Sequence, residues 1–259
     1  MVEQTTLMVL QNRLIAKVLD DLSKPASSIP FAVKPEADRL VKDLEGHPHA
    51  FVIACVMDRV IEAEQAWGIP YELQQRLESF EFPFLLSLSE QDLEQAMKQP
   101  TSLHWLNNVK PKNMYKAIHR ISDEYDGDAG AIWAGRPPSA TVVSRFLEFD
   151  GVGPKIASTA ANILTRDLHV EFADRSGIDI GADTQVRRVF SRMGFVPEDA
   201  SNDDIIERAR EMYPEYPGVF DLILWDLGRT LCRPENPACT SCEWAAQCAY
   251  AHADHASQA

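Results

Sequence analysis

Four cysteines near the C-terminal end of the chain have a spacing that is typical of metal ligands. Cys232, Cys239, Cys242 and Cys248 follow the pattern Cys-x6-Cys-x2-Cys-x5-Cys. Thiolates at this density in a cytoplasmic protein bind a metal more often than they form disulfides. Zinc and an iron–sulfur cluster both accept four thiolates. Geometric reasoning from the cysteine spacing does not distinguish between the two. The fifth cysteine, Cys55, stands in an apolar run and is predicted to be a buried core thiol.

A second candidate site is DGVGPK, residues 150–155, which interrupts an apolar, helix-like run. Gly151 and Gly153 can adopt positive φ without a steric penalty, and they leave backbone N–H groups uncovered by side chains. Pro154 suits the first turn of a new helix, whose N-terminus attracts anions through its amides and its dipole. The motif therefore predicts a phosphate site, and an ordinary turn between two helices is the alternative.

Lys155 places an amine at the start of this new helix. Partial desolvation and the positive end of the helix dipole both disfavour an ammonium group. We therefore expect more of this side chain to be the free amine, which is a nucleophile. A solvated surface lysine is the alternative.

Asp183 begins the segment DTQVRRVF, 28 residues after Lys155. A carboxylate can stabilise positive charge that develops on a sugar, and it can accept or relay a proton. An aspartate before a helix is also a good N-cap. The two roles are compatible.

The charge of the chain is unevenly distributed. Its 259 residues carry a net charge of −14. This charge argues against a nucleic-acid partner, because proteins bind phosphate groups mainly through lysine and arginine. Residues 105–192, however, hold 12 Lys and Arg against 11 Asp and Glu. A locally positive face inside an acidic shell is therefore expected, with solvated helix faces as the alternative.

The apolar content predicts a soluble globular protein without a membrane span. Hydrophobic residues make up 45% of the chain, but no apolar stretch approaches the roughly 20 residues that a membrane helix needs. The N-terminal segment has Glu3 and no basic stretch, so it does not resemble a signal peptide. We expect a cytoplasmic monomer, associated with the nucleoid if the source is bacterial.

Helical periodicity dominates the sequence and predicts an all-α protein. Only residues 168–180 alternate enough to suggest a short hairpin, or else a loop. The helices are expected near residues 5–22, 35–45, 48–67, 70–79, 89–98, 110–124, 139–149, 154–167, 184–193, 203–213 and 217–231.

The glycine motif, read as F-DGVGPK-A, resembles the helix-hairpin-helix of endonuclease III-like DNA glycosylases of the HhH-GPD superfamily. Two further segments resemble motifs of that family: ADTQVRRV at 182–189, where Gln185 replaces the usual histidine, and GRTLC at 228–232. The resemblance covers about residues 46–250. It implies a six-helix barrel domain at 46–178, with the hairpin at about 139–167, and an iron–sulfur cluster domain of 1–45 with 179–259.

The resemblance also implies a role for each motif. The hairpin amides of Gly151, Val152 and Gly153 would hold a backbone phosphate beside the lesion. Lys155 would attack C1′ of the damaged nucleotide and form a Schiff base, and Asp183 would be the catalytic aspartate. The x6-x2-x5 cysteine spacing implies a 4Fe-4S cluster rather than zinc.

The segment HWLNNVKPKNMYKAIHRI resembles the G-L/F-Y-x-x-K-A-x-x-I helix of this family. Leu106 would be the wedge in the base stack, or else a core residue, and Lys110 and Lys112 would lie along the phosphates. Met57 or Asp58 stands where the family has a glutamine that fills the gap left by a flipped base. The insertion at 168–180 alters the neighbourhood of the base pocket.

Together these motifs predict a bifunctional DNA glycosylase and AP lyase that acts on damaged or abasic double-stranded DNA. An oxidised pyrimidine is the expected substrate by family resemblance. A protein that binds DNA damage without cutting it is the first alternative. A cluster protein that binds no DNA is the second.

Overall fold

The computed structural model describes residues 2–23 and 30–257, and it contains α-helices and 3-10 turns but no β-strand within those ranges. The all-α prediction is confirmed. By its internal contacts the chain divides into two compact units, one of residues 27–173 and the other of 1–26 with 174–259. None of the described helices is both long enough and apolar enough to cross a membrane.

The unit of residues 27–173 contains eight of the described α-helices and a 3-10 turn. The turn spans Ala129–Ile132. The helices are α2 (Pro35–Lys42), α3 (Pro48–Met57), α4 (Ala63–Leu77), α5 (Phe82–Ser87), α6 (Glu90–Lys98), α7 (Lys110–Glu124), α8 (Ser139–Leu147) and α9 (Pro154–Arg166).

The core of this unit is built around α3. All ten residues of α3 are buried, as expected for a helix that is apolar on every side. It contacts α2, α4, α7 and α9. The ring of Phe51 lies 5.3 Å from Trp67, 5.9 Å from Trp133 and 6.2 Å from Phe146, measured between ring centroids. Trp67 is therefore a packing residue, the role that its helical spacing favours.

One predicted helix, 48–67, is wrong, because the structure breaks it at residues 58–62. α3 ends at Met57, and α4 runs from Ala63 to Leu77 with Pro70 inside it rather than at its start. Val60 in the break has φ of +61°, which a β-branched residue rarely adopts. Periodicity did not reveal the break because apolar residues continue on both sides of it.

The other unit contains five of the described helices. They are α1 (Val2–Ser23), α10 (Thr184–Arg192), α11 (Asn202–Met212), α12 (Asp221–Thr230) and α13 (Ala249–Ser257). Packing of α10 on α12 is its main helix contact. Gly228 permits this close approach, because a Cβ added there would lie only 2.9 Å from the Cβ of Gln185.

Residues 27–45 group differently from the domain division expected from the sequence. That division assigns 1–45 to the cluster domain, whereas α2 packs on α3 and α4 within the unit of 27–173. The second boundary lies at 173/174 rather than 178/179. The segment 168–180 is a loop without a strand. Two backbone hydrogen bonds hold this loop: Val170 N donates to Leu164 O, and Ala173 N donates to Pro137 O.

Candidate nucleic-acid interface and cysteine centre

The glycine motif forms a tight hairpin between α8 and α9. Phe149 and Val152 are both buried, and Val152 N donates to Phe149 O at 3.0 Å. Gly151 has φ of +93°, a conformation that glycine adopts without strain. Gly153 is the N-cap of α9, and its carbonyl accepts from Ala157 N at 2.9 Å. The apolar flanks therefore anchor the turn and leave its glycine backbone near the surface.

Two amide groups of this hairpin have no acceptor. Within the described ranges, neither Gly151 N–H nor Gly153 N–H donates to another group, and both glycines are half-buried. The space around Gly153 is open, since no atom lies within 4 Å of a Cβ placed there. Uncovered amides at the start of a helix are a site for an anion. Val152 contributes a buried side chain to the turn, and its amide is used internally.

Lys155 is the second residue of α9, and its side chain is exposed. The next two residues, Ile156 and Ala157, are buried, so Lys155 lies on the solvent side of the helix start. At this exposed position, docked DNA would be the source of the desolvation expected from the sequence.

Lys110 does not lie on a phosphate track. Its side chain is only 1% exposed, and Nζ donates to the carbonyl oxygen of Val56. Burial, and then the charge of Arg59, lowers the pKa of this lysine to about 8. Its neighbour Lys112 is exposed and remains available to a phosphate. The sequence missed this difference because both lysines stand at a helix start, and only packing separates them.

Met57 is also unavailable to a DNA base. It is fully buried at the end of α3, because the whole of that helix is enclosed by its neighbours. Asp58 follows it as the C-cap and is half-buried. Of the two residues that stand at the position of the family glutamine, only Asp58 reaches the surface.

A buried histidine connects the loop after α3 with the loop before α7. His104 is 2% exposed. Its Nδ1 accepts from Leu106 N at 2.9 Å, and its Nε2 lies 3.1 Å from Met57 O. Because a backbone N–H can only donate, Nδ1 carries no proton and Nε2 is the donor to Met57. The sequence contained no signal for this role, since a single histidine has no motif.

Trp105 is the exposed aromatic residue of this loop. Its side chain is 79% exposed, whereas Leu106 is half-buried. Val60 and Val109, in the two loops that His104 connects, are 71% and 48% exposed. An exposed indole is the type of group on which an unpaired base can stack. Sequence reasoning chose Leu106 and passed over Trp105.

Asp183 is the N-cap of α10. Its Oδ1 accepts from Gln185 N and Val186 N, each at 2.9 Å, which confirms the capping role. The side chain is half-buried. Asp183 belongs to the unit that includes 174–259, and Lys155 belongs to the unit of 27–173.

The four clustered cysteines line one pocket beside α10 and α12. All four are half-buried free thiols. Arg188 and Arg192 reach this loop: Arg188 Nε donates to Cys232 O at 2.8 Å, and Arg192 Nη1 lies 3.6 Å from Cys232 Sγ. Burial raises the pKa of the Cys248 thiol. Cys55, which lies in α3 and not in this loop, is buried as predicted, and burial raises the pKa of its thiol as well.

This donor set suits an iron–sulfur cluster chemically, because four thiols share one pocket and cationic groups lie beside them. The described residues nevertheless contain no group of three or more His, Cys, Asp or Glu side chains close enough to hold a metal ion. The four thiols therefore line one pocket, but they are not close enough to one another to form a metal site.

A search of protein families finds no match to the chain. Two curated proteins are similar to it: Endonuclease III homolog 2, chloroplastic, of Arabidopsis thaliana, and Endonuclease III of Thermotoga maritima. The first is 29% identical over 140 residues, which cover 51% of this chain and 31% of the plant protein. The second is 28% identical over 150 residues, which cover 58% and 63% of the two chains. The matches therefore span less than two thirds of either relative.

Solved structures share the fold. An endonuclease III in a trapped covalent complex with DNA is 20% identical, with a TM-score of 0.58 over 85% of this chain and 95% of that one. A non-covalent endonuclease III–DNA complex has the same identity and a TM-score of 0.59. A thermostable thymine-DNA glycosylase is 15% identical, with a TM-score of 0.63 over 94% and 97% of the two chains.

Proposed function

We propose that this chain, which is endonuclease III-like and has the helix-hairpin-helix DNA glycosylase fold, is a base-excision-repair enzyme that removes a damaged base from duplex DNA. The observation that carries the proposal is the hairpin. The amides of the half-buried Gly151 and Gly153 have no acceptor among the described residues, and the exposed amine of Lys155 lies two residues after Gly153. A phosphate on the amides would place this amine beside the adjacent sugar.

The proposed reaction begins with the amine of Lys155 in its neutral form. Nζ attacks C1′, the bond from C1′ to the base breaks, and the base leaves with a proton. The sugar ring then opens to give a Schiff base between Nζ and C1′. Removal of a proton from C2′ breaks the C3′–O bond by β-elimination, which is the AP lyase step.

Asp183 is the proposed acid–base partner. A carboxylate near the sugar would stabilise positive charge on C1′ as the base leaves. Its hydrogen bonds to two amides of α10 fix the orientation of the carboxylate.

The loop of Trp105 is the proposed probe of the base stack. An indole that is 79% exposed can enter a weakened step of the duplex, while the backbone of its loop is held by His104. We assign this role to Trp105 in addition to Leu106, and we assign phosphate contact to Lys112. An oxidised pyrimidine is the proposed lesion, and the enzyme would act as a monomer in the cytoplasm or nucleoid.

Cys232, Cys239, Cys242 and Cys248 would hold the proposed 4Fe-4S cluster. When bound, the cluster would cross-link the loop of residues 232–248 and fix its backbone. Arg188 and Arg192, which already contact Cys232, would balance the negative charge of the thiolates.

The second candidate is a protein that binds abasic or damaged DNA without cutting it. The exposure of Lys155 favours this candidate, because an exposed lysine can contact a phosphate without taking part in a covalent step.

Borohydride trapping on a duplex that contains an abasic site separates the two candidates. The enzyme forms a stable adduct with the DNA, and both Lys155→Ala and Lys155→Arg abolish it. The arginine variant is the matched control, because it keeps the charge that attracts DNA and removes only the nucleophile. Binding without an adduct would instead establish the second candidate, and absence of any salt-dependent binding would exclude both.

A further inference from the structure

Lys110 is a buried cation that forms no ion pair with a described residue. Its ammonium group, 1% exposed at the first residue of α7, has the carbonyl oxygen of Val56 as its hydrogen-bond acceptor. The negative charge of Asp58 raises the pKa of Lys110, and the positive charge of Arg59 lowers it. Buried charges are normally paired, because desolvation is costly. A counter-ion from outside the chain would complete this site.

The position of the ammonium group indicates which counter-ion it would meet. Val56 is the penultimate residue of α3, so the Lys110 ammonium caps the negative end of that helix. The same group lies directly behind the hairpin: a Cβ placed on Gly151 would be 3.6 Å from Lys110 Nζ and 2.4 Å from Asn113 Nδ2. The positive charge and the unpaired amide of Gly151 therefore share one small region.

We propose that Lys110 supports phosphate binding from beneath the hairpin, by adding positive charge behind Gly151 and by fixing the end of α3 against the turn. Lys110 is thus a positioning residue that touches no DNA. This inference rests on the proposed function, because it requires the hairpin to hold a phosphate.

The proposal makes phosphate binding depend on pH. The groups that face Lys110 are Asp58 and Arg59 after α3, His104 in the preceding loop and the amide of Asn113 on α7. With a pKa of about 8 in the free protein, Lys110 loses its proton between neutral and alkaline pH. A bound phosphate favours the ammonium form, so binding of DNA must raise this pKa, and by linkage a rising pH must weaken binding.

The test compares Lys110→Met with Lys112→Met, two lysines in the first turn of α7, of which one is buried and the other exposed. Affinity for a duplex with an uncleavable abasic-site analogue is measured from about pH 6.5 to about pH 9. If bound DNA raises the pKa of Lys110 by about one unit, we expect the unmodified protein to lose about fivefold in affinity across this range, because the full factor of ten is reached only at pH values above the raised pKa. Lys112→Met binds more weakly at every pH and keeps this dependence, whereas Lys110→Met loses it.

A second measurement requires no folded Lys110→Met protein. The NMR signal of the Lys110 side chain is titrated in the free protein and with the duplex bound, with Lys110→Arg to assign the signal. We expect the midpoint to move upward when DNA binds. If DNA binds, but the Lys110 midpoint does not move and Lys110→Met shows the same pH dependence as Lys112→Met, Lys110 is only structural. If the unmodified protein does not bind DNA at all, the proposed function fails first.

Discussion

The ring of His104 lies 3.1 Å, through Nε2, from the carbonyl oxygen of Met57 at the end of α3. The other nitrogen of the ring accepts from Leu106 N. One buried side chain thereby connects the loop after α3 with the loop that exposes Trp105. This arrangement uses the neutral ring only, because a protonated Nδ1 could not accept a hydrogen bond.

We expect acid to destabilise the protein through its buried histidines. Burial lowers the pKa of His104 and of His49 below the usual value of 6.5. The unfolded chain therefore binds more protons than the folded one in this range, so their stabilisation is complete above about pH 6.5 and is lost as the pH falls further. Urea unfolding at about pH 7.5 and about pH 5 measures the effect. His104→Gln should reduce the difference, and an unchanged difference would exclude His104 as a source.

Gly151 and Gly153 should respond differently to alanine. Gly151 has φ of +93° and little space, because its Cβ would lie 2.4 Å from Asn113 Nδ2. Gly151→Ala should cost about 1–3 kcal/mol of unfolding free energy. Gly153 has φ of −101° and open space around it, so Gly153→Ala is the matched control and should cost less, about 0.5–1 kcal/mol, because alanine is a poorer N-cap than glycine. Equal midpoints of thermal unfolding for the two variants would contradict this geometry.

Trp105→Ala should weaken binding to DNA that contains an unstacked site. Stacking of a base on an aromatic side chain contributes about 1–3 kcal/mol, which corresponds to a loss of about 5- to 150-fold in affinity. The fold should be unaffected, because the side chain is 79% exposed. Fluorescence anisotropy with abasic and intact duplexes provides the measurement.

Val33→Ala is the matched control for Trp105→Ala, since Val33 is 83% exposed in the same compact unit. If the two variants bind abasic DNA equally well, Trp105 does not contact the base stack.

Variants of Asp183 should separate its capping role from its proposed chemical role. Asp183→Asn keeps an oxygen that can accept from Gln185 N and Val186 N, whereas Asp183→Ala does not. The alanine variant should lose about 1 kcal/mol of stability and the asparagine variant less. Both should lose base release, as measured by single-turnover cleavage of a lesion-containing duplex. Full activity in Asp183→Asn would show that the carboxylate charge is not required.

If the four clustered cysteines hold the proposed 4Fe-4S cluster, the purified protein should be brown. Each of Cys232→Ser, Cys239→Ser, Cys242→Ser and Cys248→Ser should reduce the visible absorbance and lower the melting temperature, because cluster binding stabilises the folded loop. Cys55→Ala is the control, since Cys55 lies in the core of the other unit and its loss should not change the colour. A colourless protein that contains zinc would contradict the iron–sulfur assignment.

Local signals determined much of this protein. The hairpin glycines, the Asp183 cap and the cysteine pattern depend on neighbours a few residues away, so their residue types and spacing reveal them. The helical periodicity of the apolar positions was enough to predict an all-α chain and most of its helices.

Tertiary packing decided the remainder. Lys110 and Lys112 are two residues apart, and only the approach of α3 and of Gly151 buries the first and leaves the second in solvent. Met57 is enclosed by the packing around α3, while Trp105 remains exposed. Burial depends on contacts between residues distant in sequence, and for that reason residue types and spacing could not separate the buried lysine from the exposed one.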